Sequence, residues 1–357
     1  MSLSSNWQKH LVLSLVFCSC TIHAGLPDPA YLPEVETESV IRAAIDVGSA
    51  GPKLRVAQVD LANNKIVNLL HAEQYPVFYQ ASLAQSSDRI LSSEIIKESN
   101  RAFEQAIAKA RSFGADRVVA VATSAFRNAA NGHQVADDIQ KSTGVKVHIA
   151  DQNDEGKLAF QAAAARVDAK AEDLIVWDIG GGSTQFITVN PDGTYHIDCS
   201  KDGSWAFKNL IIQDVHHQSV DKRKSPNPMS AEEIITAKRC AGDLSDKINP
   251  FFKDKASKAS TKIIGVGSVF GTSIIQRLNG KNPFTVEDLA AVIKDLTDKS
   301  DEDLGGGNFA FVEVSNVILV LGFMERLNIH EMSIIDVNIA DGAMLYRPLW
   351  DDDIQGN

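Results

Sequence analysis

The chain has 357 residues, 44% hydrophobic and 23% charged, an ordinary globular composition with length enough for two domains. A formal net charge of −11 argues against a nucleic-acid binder held by bulk charge, so no nucleic-acid partner is expected. An acidic chain can still take a polyanion, but only through local cations, glycine-loop amides or metal ions.

Lys9 and His10 precede the apolar run LVLSLVFCSC, and TIHAG then places the small Ala24 at a processing point. Residues 1–24 therefore read as a signal peptide, and the protein as periplasmic or secreted. The run is too short to span a membrane, and a retained N-terminal anchor is the alternative. Phe17 before Cys18, and Cys18-Ser19 before Cys20, make a poor lipoprotein signal. Residues 25–40, with several Pro and Glu, read as an extended lead-in.

Structure is expected to begin at IRAAIDVG, paired with PKLRVAQVD, with a third strand over 66–74. Apolar residues at 95/96, 102/103, 106/107 and 110 mark a helix, with Gly114 as its C-cap. DRVVAVAT and VKVHIA read as strands, NAANGHQVADDIQKSTG as loop and helix, and DEGKLAFQAAAARV as a helix. This alternation predicts an α/β lobe over 41–168. At residue 174 the pattern restarts. LIVWDIGGGSTQFITV repeats the apolar-apolar-Asp-x-Gly turn of IRAAIDVGSAGPKLRV about 130 residues on, which reads as a duplication. The second lobe, 169–350, is expected to carry helices near 230–255 and 285–299, with KIIGVGSVFGTSI between them. A strong apolar helix (FVEVSNVILVLGFMERLN), a strand (MSIIDV) and a short helix (ADGAMLYRP) close it, the last helix packing back on the first lobe. Cys199 and Cys240, the cysteines outside the leader, form either one disulfide or two unpaired thiols. With no CxxC and no Cys/His cluster, a structural zinc site is not expected.

The two glycine turns carry the chemistry. Glycine lets backbone N–H groups approach a ligand and converge in an anion-binding nest. Gly48 and Ser49 in the first turn, and Gly180, Gly181, Gly182, Ser183 and Thr184 in the second, are the candidate phosphate ligands. Asp46 and Asp178 end their strands at the turn mouths. A carboxylate there repels phosphate but can hold a hydrated Mg²⁺, or another divalent cation, that binds it. GVGSVFG offers Gly265, Gly267 and Ser268 as a third ligand turn, or as a plain strand-to-helix turn. Glu155, in the first turn of its helix, is a candidate base for water or a residue favoured by the helix dipole. Thr123, Ser124 and Arg127 follow a strand and are further candidate phosphate ligands, Arg127 suiting bidentate phosphate contact or, alternatively, a solvated surface. The run DKRK at 221–224 guides a long polyanion, or is simply a solvated loop.

Taken together, AAIDVGS, VATSAFRNAANG, DEGKLAF and VWDIGGGST resemble, in order and spacing, the exopolyphosphatase / guanosine pentaphosphate phosphatase (Ppx/GppA) family. IIGVGSVFGTS, FTVEDLAAVIKDL and VSNVILVLGFMERLNIHEMSIIDVNIADGAML look like its C-terminal half, so the likeness runs over about 41–347. The resemblance implies a two-lobed, duplicated RNase H-like fold of the actin-like ATPase, Hsp70 and sugar-kinase group, with a cleft between the lobes. It implies that Glu155 orients or deprotonates water, that the two loops and Arg127 face the phosphate chain, and that the substrate is polyphosphate or a phosphorylated guanosine nucleotide. A homodimer is also among the expected partners. The chain departs from the family's pattern at Ser49-Ala50-Gly51-Pro52-Lys53, at Gln185 where Glu is usual, and at Ala340-Asp341-Gly342. It shows no additional HD-type domain. Its Asp46-to-Lys53 loop and Gln185 resemble the apyrases, which makes a nucleoside tri/diphosphate hydrolase the alternative. A non-catalytic sensor of a phosphorylated ligand is the alternative of another class.

Overall fold

The computed structural model describes residues 39–307 and 309–351. The expected signal peptide, and the lead-in up to residue 38, lie outside the described residues. Among the described residues no helix is long and apolar enough to cross a membrane.

Two mixed sheets organise the fold. The first has the order β3-β2-β1-β4-β5, from β1 (Ser39–Gly48), β2 (Gly51–Asp60), β3 (Lys65–Gln74), β4 (Val118–Ala122) and β5 (Val147–Ile149). β1, β2 and β3 form an antiparallel meander, and β4 and β5 run parallel to β1. The short α1 (Tyr79–Ala84) and the long α2 (Ser93–Ser112) connect β3 to β4. The pair α3 (Ser124–Asn128) and α4 (Gly132–Thr143) leads to β5. α2 starts on a Ser92 cap and buries one stripe, Ala102, Phe103, Ala106, Ile107 and Ala110. Gly114 follows it with φ +86, as its role at the helix end requires.

The second sheet repeats this plan. After α5 (Gln152–Ala164) come β6 (Leu174–Ile179), β7 (Thr184–Val189) and β8 (Tyr195–Ser200), again antiparallel. Helices α6 (Ser204–Leu210), α7 (Ala231–Ser245) and α8 (Pro250–Ala256) lead to β9 (Lys262–Val266), parallel to β6. Then follow α9 (Ile275–Arg277), β10 (Phe284–Thr285), α10 (Val286–Leu296), α11 (Ala310–Leu327), β11 (Glu331–Ile334) and α12 (Ile339–Leu345). β11 runs parallel to β9, and β10 adds an antiparallel edge, so the order is β10-β11-β9-β6-β7-β8. Strands 8-7-6-9-11 thus match 3-2-1-4-5. The fold is the two-sheet α/β architecture expected from the repeated turn.

Sequence and structure differ in detail. The helix expected over 285–299 ends at Leu296, because Thr297 turns to extended backbone. The helical stretch near 230–255 breaks at 246–249, where Asn249 caps a new helix opened by Pro250. Sequence reading passes over β8, although Tyr195, Ile197 and Cys199 alternate there with polar residues at the strand period, and over the seven-residue α6, which is too short to show a helical period. Cys199 and Cys240 are both unpaired thiols. Cys199 sits on β8 opposite Gln185, and Cys240 lies on α7 against the apolar core that packs on the second sheet, so the disulfide alternative falls.

Two helices carry the site. α5 packs on the second sheet through Ala159, Phe160, Ala162 and Ala163. α12 packs on the first sheet with Ala340, Ala343 and Met344 against Ala44, Ala57 and Val121. They touch where Gly342 lies over the Leu158 carbonyl, so close that a Cβ would stand 2.0 Å from its oxygen. That contact fixes the position of the N-terminus of α5.

Candidate active site

Each hairpin opposes a carboxylate to a polar side chain just below its turn, two rungs from the closing pair in the first and one rung in the second. Register places Asp46 opposite Lys53 in the first and Asp178 opposite Gln185 in the second. The first turn closes on Gly51, with φ +122 and a notional Cβ 2.1 Å from the Tyr75 carbonyl, a place for glycine alone. Ser49 and Ala50 give their carbonyls to Gln80 and Val77. In the second turn, Gly180 and Gly181 give their carbonyls to the N–H groups of Ser204 and Trp205 at the start of α6. The N–H groups of Gly181 and Gly182 have no backbone acceptor among the described residues. With two carbonyls bonded to α6 and two amides without a backbone acceptor, the tip has the donors that an anion nest needs. Ser124 of the first lobe faces this tip: its Oγ lies 3.5 Å from where a Gly182 Cβ would stand.

Glu155, at the start of α5, is 4% exposed, bonds Gln185 of the second hairpin and feels the charges of both Asp46 and Asp178. Asp151 caps α5 by accepting from the Asp154 N–H, which orients the first turn. Arg127 Nη1 donates to Glu155 Oε1 at 2.8 Å and to the Ala150 carbonyl at 2.6 Å. Gln185 Nε2 donates to Glu155 Oε2 at 3.2 Å and to Ser183 Oγ at 3.0 Å. Both carboxylate oxygens are therefore held. Burial pushes the Glu155 carboxyl up to about 7; Arg127 opposes the rise, and the charges of Asp178 and Asp46 add to it. Burial, then Asp46, pushes Asp178 up to about 6, while Lys53 opposes. Lys53 Nζ stands 3.4 Å from Asp46 Oδ2.

Asp46 and Asp178 fit a hydrated divalent cation. They are near enough for one to raise the other, and Mg²⁺ asks for one or two carboxylates, waters and substrate phosphates. Among the described residues no group of three or more His, Cys, Asp or Glu is arranged as an all-protein metal cage, which is the wrong donor set for zinc but not for Mg²⁺.

The remaining candidates divide. Thr123 donates to the Val47 carbonyl at 3.3 Å and ties β4 to the first turn. Arg127 faces Glu155. Thr184 does not face the tip: its hydroxyl accepts from Trp177 Nε1 and donates to the Asp178 carbonyl, both at 3.0 Å, so it is spent in the core. Gly265 is likewise a packing position, because a Cβ there would stand 2.7 Å from Phe270. Gly267 does reach the site. At φ +87 its notional Cβ would lie 2.2 Å from Asp178 Oδ1, so the third turn supports the second through this residue. Ser268 is exposed beside it. Sequence reasoning marked Gln185 and Lys53 only as apyrase-like departures, with no contact to Glu155 or Asp46, and passed over Gly203 and Trp205. Counting residues outward from each turn finds the first two. Nothing in the sequence marks Gly203, whose notional Cβ would lie 2.5 Å from the Ser183 nitrogen.

These features define a two-lobed α/β protein with paired glycine turns, two turn-mouth carboxylates and a held buried glutamate. Three comparisons then find likeness to the Ppx/GppA phosphatase family over parts of the chain or in its fold. Residues 61–221 match the family model of that description. The fold matches the crystal structure of the Aquifex aeolicus Ppx/GppA family member with a TM-score of 0.70 and 18% identity, covering 88% of this chain and 99% of that one. In sequence the chain is 28% identical over 143 residues to exopolyphosphatase 1 of Mycobacterium leprae, which is 37% of this chain and 42% of that protein. It is also 26% identical over 158 residues to a bifunctional 3-dehydroquinate synthase/phosphatase of Fusobacterium nucleatum, 43% of this chain and 24% of that protein. The matches thus span less than half the length of these curated relatives.

Proposed function

We propose that the protein is a phosphoanhydride hydrolase that releases terminal phosphate from polyphosphate, with guanosine pentaphosphate as a second substrate. The observation that carries this reading is Glu155: buried, held at both oxygens, raised to about 7 and close enough to Asp46 and Asp178 at the turn mouths to feel their charges. A base with that value is matched to neutral pH. The terminal phosphate sits between the tips at Gly48–Ser49 and Gly180–Ser183. Water attacks its phosphorus while Glu155 takes the water's proton. The bond to the bridging oxygen breaks, and its electron pair leaves with the shortened chain. Turn amides and Lys53 stabilise the charge on the phosphoryl oxygens. Arg127 and Gln185 keep the carboxylate aimed. A divalent cation on Asp46 and Asp178 supplies further charge neutralisation when bound. The leader-like residues 1–24 support export to the periplasm or medium, which fractionation of the expressed chain tests.

The experiment is phosphate release with Mg²⁺ from polyphosphate, guanosine pentaphosphate, ATP and ADP, with Glu155→Gln as control. Release from either of the first two, lost in the variant, supports the reading. Release mainly from ATP and ADP moves the protein to the apyrases. Binding without release makes it a sensor.

A further inference from the structure

The basic run at 221–224 meets the second glycine turn through α6. The first N–H groups of α6 bond the Gly180 and Gly181 carbonyls, which docks Trp205 on the turn. A Cβ on Gly181 would stand 3.1 Å from the indole, yet Trp205 is 42% exposed. One turn later, Lys208 places its ammonium 5.6 Å from the centres of both the Trp205 and Phe311 rings. Lys208 is 5% exposed and donates to the Lys224 carbonyl at 3.2 Å. Neither lysine forms an ion pair among the described residues.

A buried ammonium without a carboxylate is costly, and a second cation beside it adds to the cost. Burial first, then Lys224, pulls the Lys208 pKa down. Two aromatic faces offset part of this through cation–π attraction. What remains is a standing positive potential separated from the second glycine turn by the Trp205 indole. The neighbouring Arg223 does not share this role, since it donates to the carbonyls of Ser225, Pro226 and Asn227 and holds the loop. Lys222 and Lys224 are exposed, and only Lys224 backs onto Lys208.

We propose that Lys208, Lys224 and the edge of Trp205 form a subsite for the phosphates that trail behind the scissile one, which selects inorganic polyphosphate chains over short phosphoanhydrides. This rests on the phosphoanhydride-hydrolase reading above. A chain rather than a nucleobase fits, because an indole face carries the Lys208 ammonium and Phe311 meets the ring edge to face at 5.1 Å.

The test measures binding to the full chain carrying Glu155→Gln, which prevents turnover, by calorimetry with long-chain polyphosphate and with tripolyphosphate. Lys224→Glu is expected to weaken the long chain about tenfold and to flatten its salt dependence, with tripolyphosphate changed less than about twofold. Lys222→Glu, a reversal in the same loop away from Lys208, is expected to cost less than about threefold. Equal losses in the two variants would reduce the effect to bulk charge and overturn the subsite. Equal losses for both ligands, or no loss, overturn it as well. So does a nucleoside polyphosphate whose binding falls with Trp205→Ala but not with Lys224→Glu. Phosphate release by the unmutated chain is scored separately. Release with Lys224 silent sinks the subsite alone, whereas chain binding lost in Lys224→Glu without any release keeps the subsite and sinks the hydrolase.

Discussion

Replacing Glu155 with Gln is expected to make the protein more stable and inactive at once. The carboxyl rises from an ordinary 4.5 to about 7, chiefly through burial. At about 1.4 kcal/mol per pH unit, ionising it in the folded protein costs about 3 kcal/mol more than in the unfolded chain. The attraction of Arg127 is already contained in that value. Because the folded pKa is raised, the native state holds the proton more tightly. Its contribution to stability is full below pH 4.5 and is lost as pH rises through 7. Gln is neutral throughout and nearly isosteric with the protonated acid. The stability difference between variant and parent is therefore near zero at pH 4.5 and grows to about 3 kcal/mol in the variant's favour at pH 8. Urea unfolding at a series of pH values reads this directly. Phosphate release is expected to fall about 10²- to 10⁴-fold in the same variant. A variant less stable than the parent at pH 8, or a difference independent of pH, would refute the claim that burial sets this carboxyl.

Four further outcomes are expected. With Glu155 as base, kcat rises with pH through about 7, and a pH–rate profile flat from 5.5 to 8 would exclude it. Gln185→Leu removes the donor on Glu155 Oε2 and is expected to lower kcat about 10- to 100-fold with KM within about twofold, since it misaims the base rather than the substrate; a pure KM effect would place Gln185 on the substrate instead. Gly267→Ala puts a methyl against Asp178 at a positive φ, and should cost more than about 2 kcal/mol by urea unfolding and weaken the Mg²⁺ dependence of activity. Thr184→Val strands the Trp177 N–H and should cost about 1–3 kcal/mol while kcat per folded molecule stays within about twofold; a large kcat loss would return Thr184 to the phosphate site.

Much of this protein is legible in its residues alone. Strands and helices follow from periodicities of two and 3.6, which are local, and the repeated Asp-x-Gly turn announces the duplicated plan because the same backbone requirement recurs in both halves. Glycine at 48 and at 180–182 points to anion binding for a reason internal to the residue, the absence of a Cβ. Glu155 has no such signature. An acid in a first helical turn suits the dipole wherever it occurs, and only the packing of α5 against α12 and the second sheet buries this one among other carboxylates. Tertiary structure likewise separates residues of similar chemistry. It spends the Thr184 hydroxyl in the core, sets Gly265 against Phe270 while Gly267 meets Asp178, and commits Arg223 to its own loop while Lys224 backs onto Lys208. Each of these outcomes depends on what lies across space from a side chain. Residue type and spacing set what a group can do; the neighbours that folding brings from elsewhere in the chain decide which of those capacities is left free.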